Sequence, residues 1–101
     1  MKEPRRFPEI PLTPSPTTSE GRAAVGFKWA GPTVGRRHKV GGDPDWLQGP
    51  EVPECPECHE AMSFYGQLDS VGDDMTLADI GMIYVFVCLD CFATKSVLQS
   101  G

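Results

Sequence analysis

The sequence predicts a small, mostly β domain: an antiparallel sheet of three to four strands, rich in loops, closed by a zinc-ribbon-like clamp of four cysteines and preceded by a proline-rich tail. Three observations predict this class. Eleven glycines and ten prolines in 101 residues make long helices improbable. The apolar segments have the length of strands rather than helices. The four cysteines stand in two pairs with the spacing of a metal site.

The chain is expected to divide into a tail, residues 1–22, and a small domain, residues 23–101. Five of the ten prolines fall within the first sixteen residues. Each proline lacks an amide donor and favours an extended conformation for the residue before it. We therefore expect an extended or disordered tail, in which Ile10 and Leu12 are the residues that could lie along an edge of the domain.

Four segments of the domain have strand patterns. The most distinct is 82–89, where Tyr84 to Val87 have high β propensity and both faces are apolar, so we expect neighbours on both sides of this strand. The segment 62–71 alternates between apolar and polar residues. Shorter strands are predicted at 24–29 and 94–100. Between the two longer strands lies an acidic connection, in which 76–80 could form one helical turn.

One loop is predicted to be ordered and to insert a tryptophan into the core. Gly41 and Gly42 allow positive φ angles, and Pro44 stands between two aspartates in a turn sequence. Trp46 follows directly, and an indole among so many turn residues requires burial. Gln67, inside an apolar strand, is expected to bind backbone groups of this loop and hold it in place.

The cysteines predict one structural zinc ion bound by Cys55, Cys58, Cys88 and Cys91. Each CxxC turn places two thiolates at a separation that suits two vertices of a tetrahedron. If the two longer strands pair antiparallel, the start of the first meets the end of the second, and both CxxC turns reach the same end of the hairpin. Four thiolates complete the coordination of zinc, which favours a closed structural site over a catalytic one.

Other interpretations of the cysteines compete with this one. Thioredoxin-like redox chemistry would require a CxxC at the start of a helix after a βα unit, a pattern that is absent here. Disulfides are disfavoured because the N-terminal residues have no apolar segment of the kind that secretion signals contain. His59 adjoins Cys58 and is a possible substitute ligand.

Charge is distributed unevenly along the chain. Residues 1–50 contain eight Lys or Arg and five Asp or Glu, whereas residues 51–101 contain one lysine and nine acids, so the formal net charges are +3 and −8. An acidic surface repels phosphate backbones, which makes nucleic acid an improbable partner. The basic run 36–39 could contact an acidic partner, but it is expected to be a solvated loop or a charge complement to the acidic half. Aspartates in the 69–79 connection fit no calcium loop and are expected to be solvated.

Several function classes are disfavoured. The sequence contains no dinucleotide-binding or phosphate-binding glycine motif and no recognisable catalytic grouping, so neither an enzyme nor a small-molecule substrate is expected. No segment of 18 apolar residues is present, so no membrane span is expected. Together with the missing secretion signal, this composition predicts a cytoplasmic protein.

Four segments carry a resemblance to known proteins. Residues 38–48 read HKVGGDPDWLQ and fit GG-x-P-x-W-(I/L)-Q. Residues 55–69 contain CPEC followed by MSFYGQLD and fit C-x-x-C…M-x-F-x-x-Q-(I/L)-D. Residues 79–88 read DIGMIYVFVC and fit D-x-G-x-x-Y-x-F-x-C, and residues 97–100 also fit. In this order they resemble the YwqG-like bacterial proteins, a family of unknown function. A weaker similarity reaches programmed cell death protein 2, whose relatives act in ribosomal-protein chaperoning.

The resemblance implies a zinc-binding fold and no particular reaction. We therefore expect a non-catalytic domain with one structural Zn²⁺ that binds another protein, with exposed aromatics (Phe27, Trp29, Tyr65) and the acidic 69–79 loop as contact surfaces. A chaperone-like role toward a basic client is implied only by analogy with the weaker similarity. A CxxC thiol-disulfide oxidoreductase and a nucleic-acid-binding zinc ribbon remain as alternatives.

Overall fold

A computed structural model of the protein describes residues 5–31 and 33–101. Residues 1–4 of the predicted tail and Pro32 therefore lie outside the described residues. The described chain is mostly β, as predicted, but its antiparallel sheet has five strands rather than three to four. In chain order the strands are β1 (Ile10–Pro11), β2 (Lys39–Val40), β3 (Ser63–Asp69), β4 (Met82–Val87) and β5 (Thr94–Gln99).

The strands are neighbours in sequence order, so the sheet is a meander. The three longer strands were expected from their β-branched and aromatic residues. The sequence did not predict β2, because two residues are too few to show a periodic pattern. For β1, it gave only the expectation that Ile10 could lie along an edge of the domain. As expected, β4 has a neighbour on each side.

The register of β3, β4 and β5 brings three chain ends together. Ser63 at the start of β3 pairs with Val87 at the end of β4, and Val87 also pairs with Thr94 at the start of β5. A β-bulge at Tyr65 shifts the register between Phe64 and Gly66. Because of this shift, Phe64 shares the core face with Gln67 and Asp69, whereas Leu68 is exposed. The residues just before β3, after β4 and before β5 therefore meet at one end of the sheet.

The core lies on one face of this sheet. Along β4, Met82, Tyr84 and Phe86 are buried, and they alternate with half-buried residues. Phe64 on β3 packs edge-on against Phe86, with ring centroids 5.6 Å apart. Two of the cysteines, Cys55 and Cys88, belong to the same buried cluster, so the cysteine end of the sheet is continuous with the core.

The strand predicted at 24–29 is not formed. The chain instead has a short helix, α1 (Ser19–Ala24), whose N-cap Thr18 accepts a hydrogen bond from the backbone N–H of Gly21. Threonine at an N-cap stabilises the first turn of a helix. The helix ends at Ala24, where the predicted strand would begin, and Gly26 has a φ of 103°, which interrupts an extended strand. Of the predicted strand, the one bridge that the structure shows joins Gly26 to Gly72.

The helical turn expected at 76–80 is also wrong. A short 3₁₀ helix forms earlier, at Asp73–Met75. Ala78 and Ile80 both have φ angles of 53°, which no right-handed helix accommodates. None of the helices in the described ranges has the length and apolar character needed to cross a bilayer.

Asp69 corrects the expectation that the 69–79 acids are solvated. Its buried carboxylate forms a two-pronged ion pair with the Arg37 guanidinium, with N···O distances of 2.8 Å for each pair of atoms, and also accepts the backbone N–H of Gly35. Burial opposes ionisation of Asp69, but the Arg37 bonds outweigh it and hold the pKa of Asp69 below its usual value. The pair therefore stabilises the fold above about pH 4, and this contribution is lost as the pH falls further.

Asp69→Asn should lower the free energy of unfolding by about 3 kcal/mol, because the partly buried Arg37 would lose its anionic partner. Urea unfolding at pH 7, followed by tryptophan fluorescence, measures the change. Asp79→Asn is the matched control, since Asp79 is an exposed acid of the same connection, and should change the value by less than about 0.5 kcal/mol. Equal losses in the two variants would contradict the assignment.

Residues 7–12 lie along the edge of the sheet in an extended conformation, and we call this segment the strap. Ile10 pairs with Val40, and the N–H of Gly42 donates to the carbonyl of Phe7 at 2.8 Å. Gly41 has a φ of +75°, and a Cβ at this position would collide with the backbone carbonyl of Pro8. Glycine at position 41 therefore serves both the turn and the close approach of the strap.

Gly41→Ala should lower the free energy of unfolding by about 2 kcal/mol and release the strap, because the added Cβ combines backbone strain with a collision. Amide hydrogen exchange at Leu12, whose N–H donates to the His38 carbonyl, reports the release. Gly49→Ala is the control: it has a φ of +112° and no neighbouring atom within 4 Å of its Cβ position. If Gly49→Ala accelerated exchange at Leu12 as much, the collision would not be the cause.

Candidate metal centre

Two turns of identical hydrogen bonding hold the cysteines. The first spans residues 55–60, and the second spans residues 88–93. In each turn the N–H of the first cysteine donates to the carbonyl five residues later, at 2.8 Å and 2.9 Å respectively. In each turn the N–H of the fifth residue donates to the carbonyl of the first cysteine, at 2.9 Å and 2.7 Å. We call these segments the first and second knuckle.

The knuckles also share one strained residue. The fifth residue, His59 in the first knuckle and Phe92 in the second, has a positive φ angle of 62° and 58°, respectively. Glycine or asparagine would adopt this conformation at lower cost. Two unrelated side chains in the same unfavourable conformation show that the turn itself imposes the geometry.

Strand pairing places the knuckles against each other. The second knuckle joins β4 to β5, and the first leads into β3, which pairs with β4. The four sulfur atoms of Cys55, Cys58, Cys88 and Cys91 consequently lie within 4.8 Å of one another. The Sγ atoms of Cys58 and Cys88, one from each knuckle, are 3.7 Å apart.

These distances fit one tetrahedral metal ion. Four sulfurs at about 2.3 Å from a central ion would be about 3.8 Å from one another. All four cysteines are free thiols rather than disulfides. His59, the alternative ligand considered from the sequence, is not among the clustered ligand atoms found in the described part of the chain.

Backbone amides point at the sulfurs from within each knuckle. The N–H of Glu57 donates to Cys55 Sγ at 3.5 Å, and the N–H of Cys91 donates to Cys88 Sγ at 3.4 Å. Hydrogen bonds from the amides of Cys58 and Glu57 lower the pKa of Cys55 to about 7. The knuckle thus stabilises the thiolate that a metal ion requires.

Without a metal ion, each thiolate in the cluster makes ionisation of the neighbouring thiols less favourable. The adjacent Cys58 side chain and burial raise the pKa of Cys91 to about 12. Several thiolates this close repel one another unless a cation lies among them. The arrangement therefore favours a divalent cation over four independent thiols.

The loop that contains Gly41, Gly42 and Pro44 packs its tryptophan on the sheet. The Trp46 ring lies 4.7 Å from the Tyr84 ring and 6.0 Å from the Phe86 ring, centroid to centroid. The hydroxyl of Tyr84 donates to the carbonyl of Asp45 at 2.7 Å and accepts the N–H of Leu47 at 3.1 Å. The half-buried indole covers the core face of β4.

Two buried glutamines hold the loop from below. Gln67 accepts the N–H of Asp45 at 3.0 Å and donates to the Asp45 carboxylate at 2.9 Å, which is the role expected for it. The sequence did not predict the second. Gln99 accepts the N–H groups of Leu47 and Gln48 and donates to the Gly49 carbonyl at 2.7 Å. The only sequence signal was a glutamine that follows Val97 and Leu98 at the end of a strand.

Comparisons with protein-family models, curated proteins and solved structures gave no match to this chain.

Gln99→Leu should lower the free energy of unfolding by about 3 kcal/mol, because it leaves the Gln48 N–H and the Gly49 carbonyl without a partner and the Leu47 N–H with only the Tyr84 hydroxyl. It should also shift the tryptophan emission to longer wavelength as Trp46 is hydrated. Gln48→Leu removes one exposed bond, to the Ser100 carbonyl, and should cost less than about 1 kcal/mol. A Gln99→Leu protein as stable as Gln48→Leu would contradict this role.

Proposed function

We propose that the protein is a non-catalytic interaction module whose cysteine end binds one structural Zn²⁺. The observation that carries the proposal is the convergence of two equivalent knuckles, with four sulfur atoms within 4.8 Å of one another. Four cysteine thiolates in a tetrahedral arrangement are typical of structural zinc sites.

Zinc would act on folding rather than on a substrate. Cys55, Cys58, Cys88 and Cys91 would hold it, which leaves no coordination position for water or a substrate. When bound, it would tie the segment that leads into β3 to the β4–β5 connection. The free energy of structural zinc binding, on the order of 10–16 kcal/mol in small peptides, is large compared with the stability of a domain of this size.

Binding of another protein would account for the exposed aromatic side chains, which the metal site does not explain. Of the aromatic residues expected to be exposed, Phe27 is half-buried, Trp29 is 64 % exposed and Tyr65 is 49 % exposed. Aromatic residues are enriched at protein interfaces. A chaperone-like role toward a basic client is supported only by analogy with the weaker similarity, to programmed cell death protein 2. Reduced thiols that bind metal fit a reducing compartment such as the cytoplasm.

A thiol oxidoreductase is the second candidate, favoured by one observation. The pKa of Cys55 is lowered to about 7, and its CxxC partner Cys58 is exposed. A reactive cysteine combines both properties in one residue, whereas here Cys55 is buried, so this candidate is supported less than the metal site. A nucleic-acid-binding zinc ribbon is supported less, because residues 51–101 carry a formal net charge of −8.

Elemental analysis and thiol labelling of the purified protein separate the candidates. The proposal predicts one zinc per chain and four thiols that react with N-ethylmaleimide only after a chelator is added. Cys91→Ser should lose the metal and unfold the knuckle end. His59→Gly keeps all four thiols and relieves the positive φ, so it should keep the metal. Rapid labelling of two thiols in metal-free, folded protein would instead favour the oxidoreductase.

A further inference from the structure

The face of the sheet opposite the core is apolar and only partly covered within the described residues, where the Phe7 ring contacts that of Tyr65. Alternation along β4 buries Met82, Tyr84 and Phe86 and turns the residues between them outward. We call this second surface the outer face. Its apolar residues are Tyr65, Leu68, Ile83, Val85, Val87 and Leu98. A solvated face of an antiparallel sheet ordinarily carries polar residues, so this composition indicates a surface that is covered by a partner.

The register makes the outer face continuous. Leu68 and Leu98 both pair with Ile83, and they are 52 % and 54 % exposed. Nearer the metal centre, Val85 and Val87 line an open cleft of about 490 Å³. The other residues lining this cleft are Phe7, Tyr65, Leu89, Phe92 and Thr94. The cleft therefore offers an apolar site for large side chains of a partner.

Phe92, at the rim of the cleft, has two properties that oppose folding and favour a role in binding. This ring is 73 % exposed and belongs to a residue with a φ of 58°. Exposure of the ring and the left-handed backbone both cost stability, and a glycine at position 92 would avoid both costs. A residue that is unfavourable on both counts, at the rim of an apolar cleft, has the properties of a binding anchor.

Acidic residues lie at both ends of the outer face. Glu57 and Asp90 lie in the knuckles at one end of the strands, and Asp74 and Asp79 lie in the β3–β4 connection at the other. Four thiolates around one Zn²⁺ would add a formal charge of −2. Lys95 is the only cationic residue, lysine or arginine, in residues 51–101. A partner that covers this face gains from positive charge.

The same charges disfavour a second copy of this chain. A twofold dimer through the outer face would place the same patch of each copy against the other. Two acidic halves, each with a formal net charge of −8 before any metal binds, would then face each other. Like charges across an interface oppose association.

We propose that the outer face binds a segment of another protein that carries large apolar side chains beside lysines or arginines, with an apolar side chain in the cleft next to Phe92. This proposal rests on the proposed function and specifies the chemistry of its partner. The apolar side chains fill the cleft, and the basic residues lie toward the acidic ends of the sheet.

Fluorescence anisotropy with three synthetic 12-residue peptides tests the proposal on the zinc-loaded full chain. The first peptide contains four leucines and four lysines, the second has glutamates in place of the lysines, and the third has serines in place of the leucines. We expect the first to bind at least tenfold more tightly than either of the others, and to weaken as salt is added.

Phe92→Gly should weaken binding of the first peptide at least tenfold while leaving stability unchanged or higher. His59→Gly is the matched control, because it relieves the same backbone conformation in the other knuckle, and should bind like the native chain. Equal binding of all three peptides, or no effect of Phe92→Gly, would overturn the proposal. Zinc content measured on the same samples separates this failure from failure of the metal site.

Sedimentation of the peptide-free chain tests whether a second copy of the chain covers the outer face instead. A monomer supports the proposal. A dimer that Phe92→Gly dissociates and His59→Gly preserves would overturn it, because a second copy would then cover the outer face.

Discussion

The antiparallel register of β3, β4 and β5 is the constraint on which the rest of the structure depends. It brings Ser63, Val87 and Thr94 side by side, so the two knuckles that flank these residues face each other. A shift of one residue would turn every side chain of a strand to the opposite face and separate the cysteines. The core pattern and the sulfur cluster therefore specify the same register, and each reinforces the other.

Polar side chains beneath the loops complete the fold. Arg37 and Asp69 fix the segment before β2 to the end of β3, and Gln67, Tyr84 and Gln99 satisfy the backbone of the tryptophan loop. A small domain with long irregular segments has many backbone groups that no strand partner can satisfy. Buried side chains with several hydrogen bonds replace those missing partners, and the sheet provides rigid positions for them.

Much of this arrangement could be predicted from the sequence, and the reasons for the failures are physical. The two longer strands and the cysteine spacing predicted where the knuckles meet, because strand pairing and ligand spacing led to the same geometry. The Thr18 cap and the positive φ angles of Ala78 and Ile80 were missed, because they depend on local hydrogen bonding rather than on periodicity. Asp69 was misassigned because its partner Arg37 lies 32 residues earlier in the chain.

The metal centre could be predicted from the sequence more fully than the outer face could. Four cysteines in two CxxC pairs indicate a metal site from the sequence alone. The equivalence of the two knuckles is visible only in their backbone hydrogen bonds. The outer face was concealed because a strand that is apolar on both sides looks like a buried strand. One side of β4 lies in the core, and the other is only half-buried.

The most direct test of the metal assignment is X-ray absorption spectroscopy at the zinc edge of the purified protein. We expect four sulfur neighbours at about 2.3 Å from the zinc ion and no nitrogen or oxygen ligand. A first shell that contains nitrogen or oxygen, or a folded protein without bound zinc, would contradict the assignment.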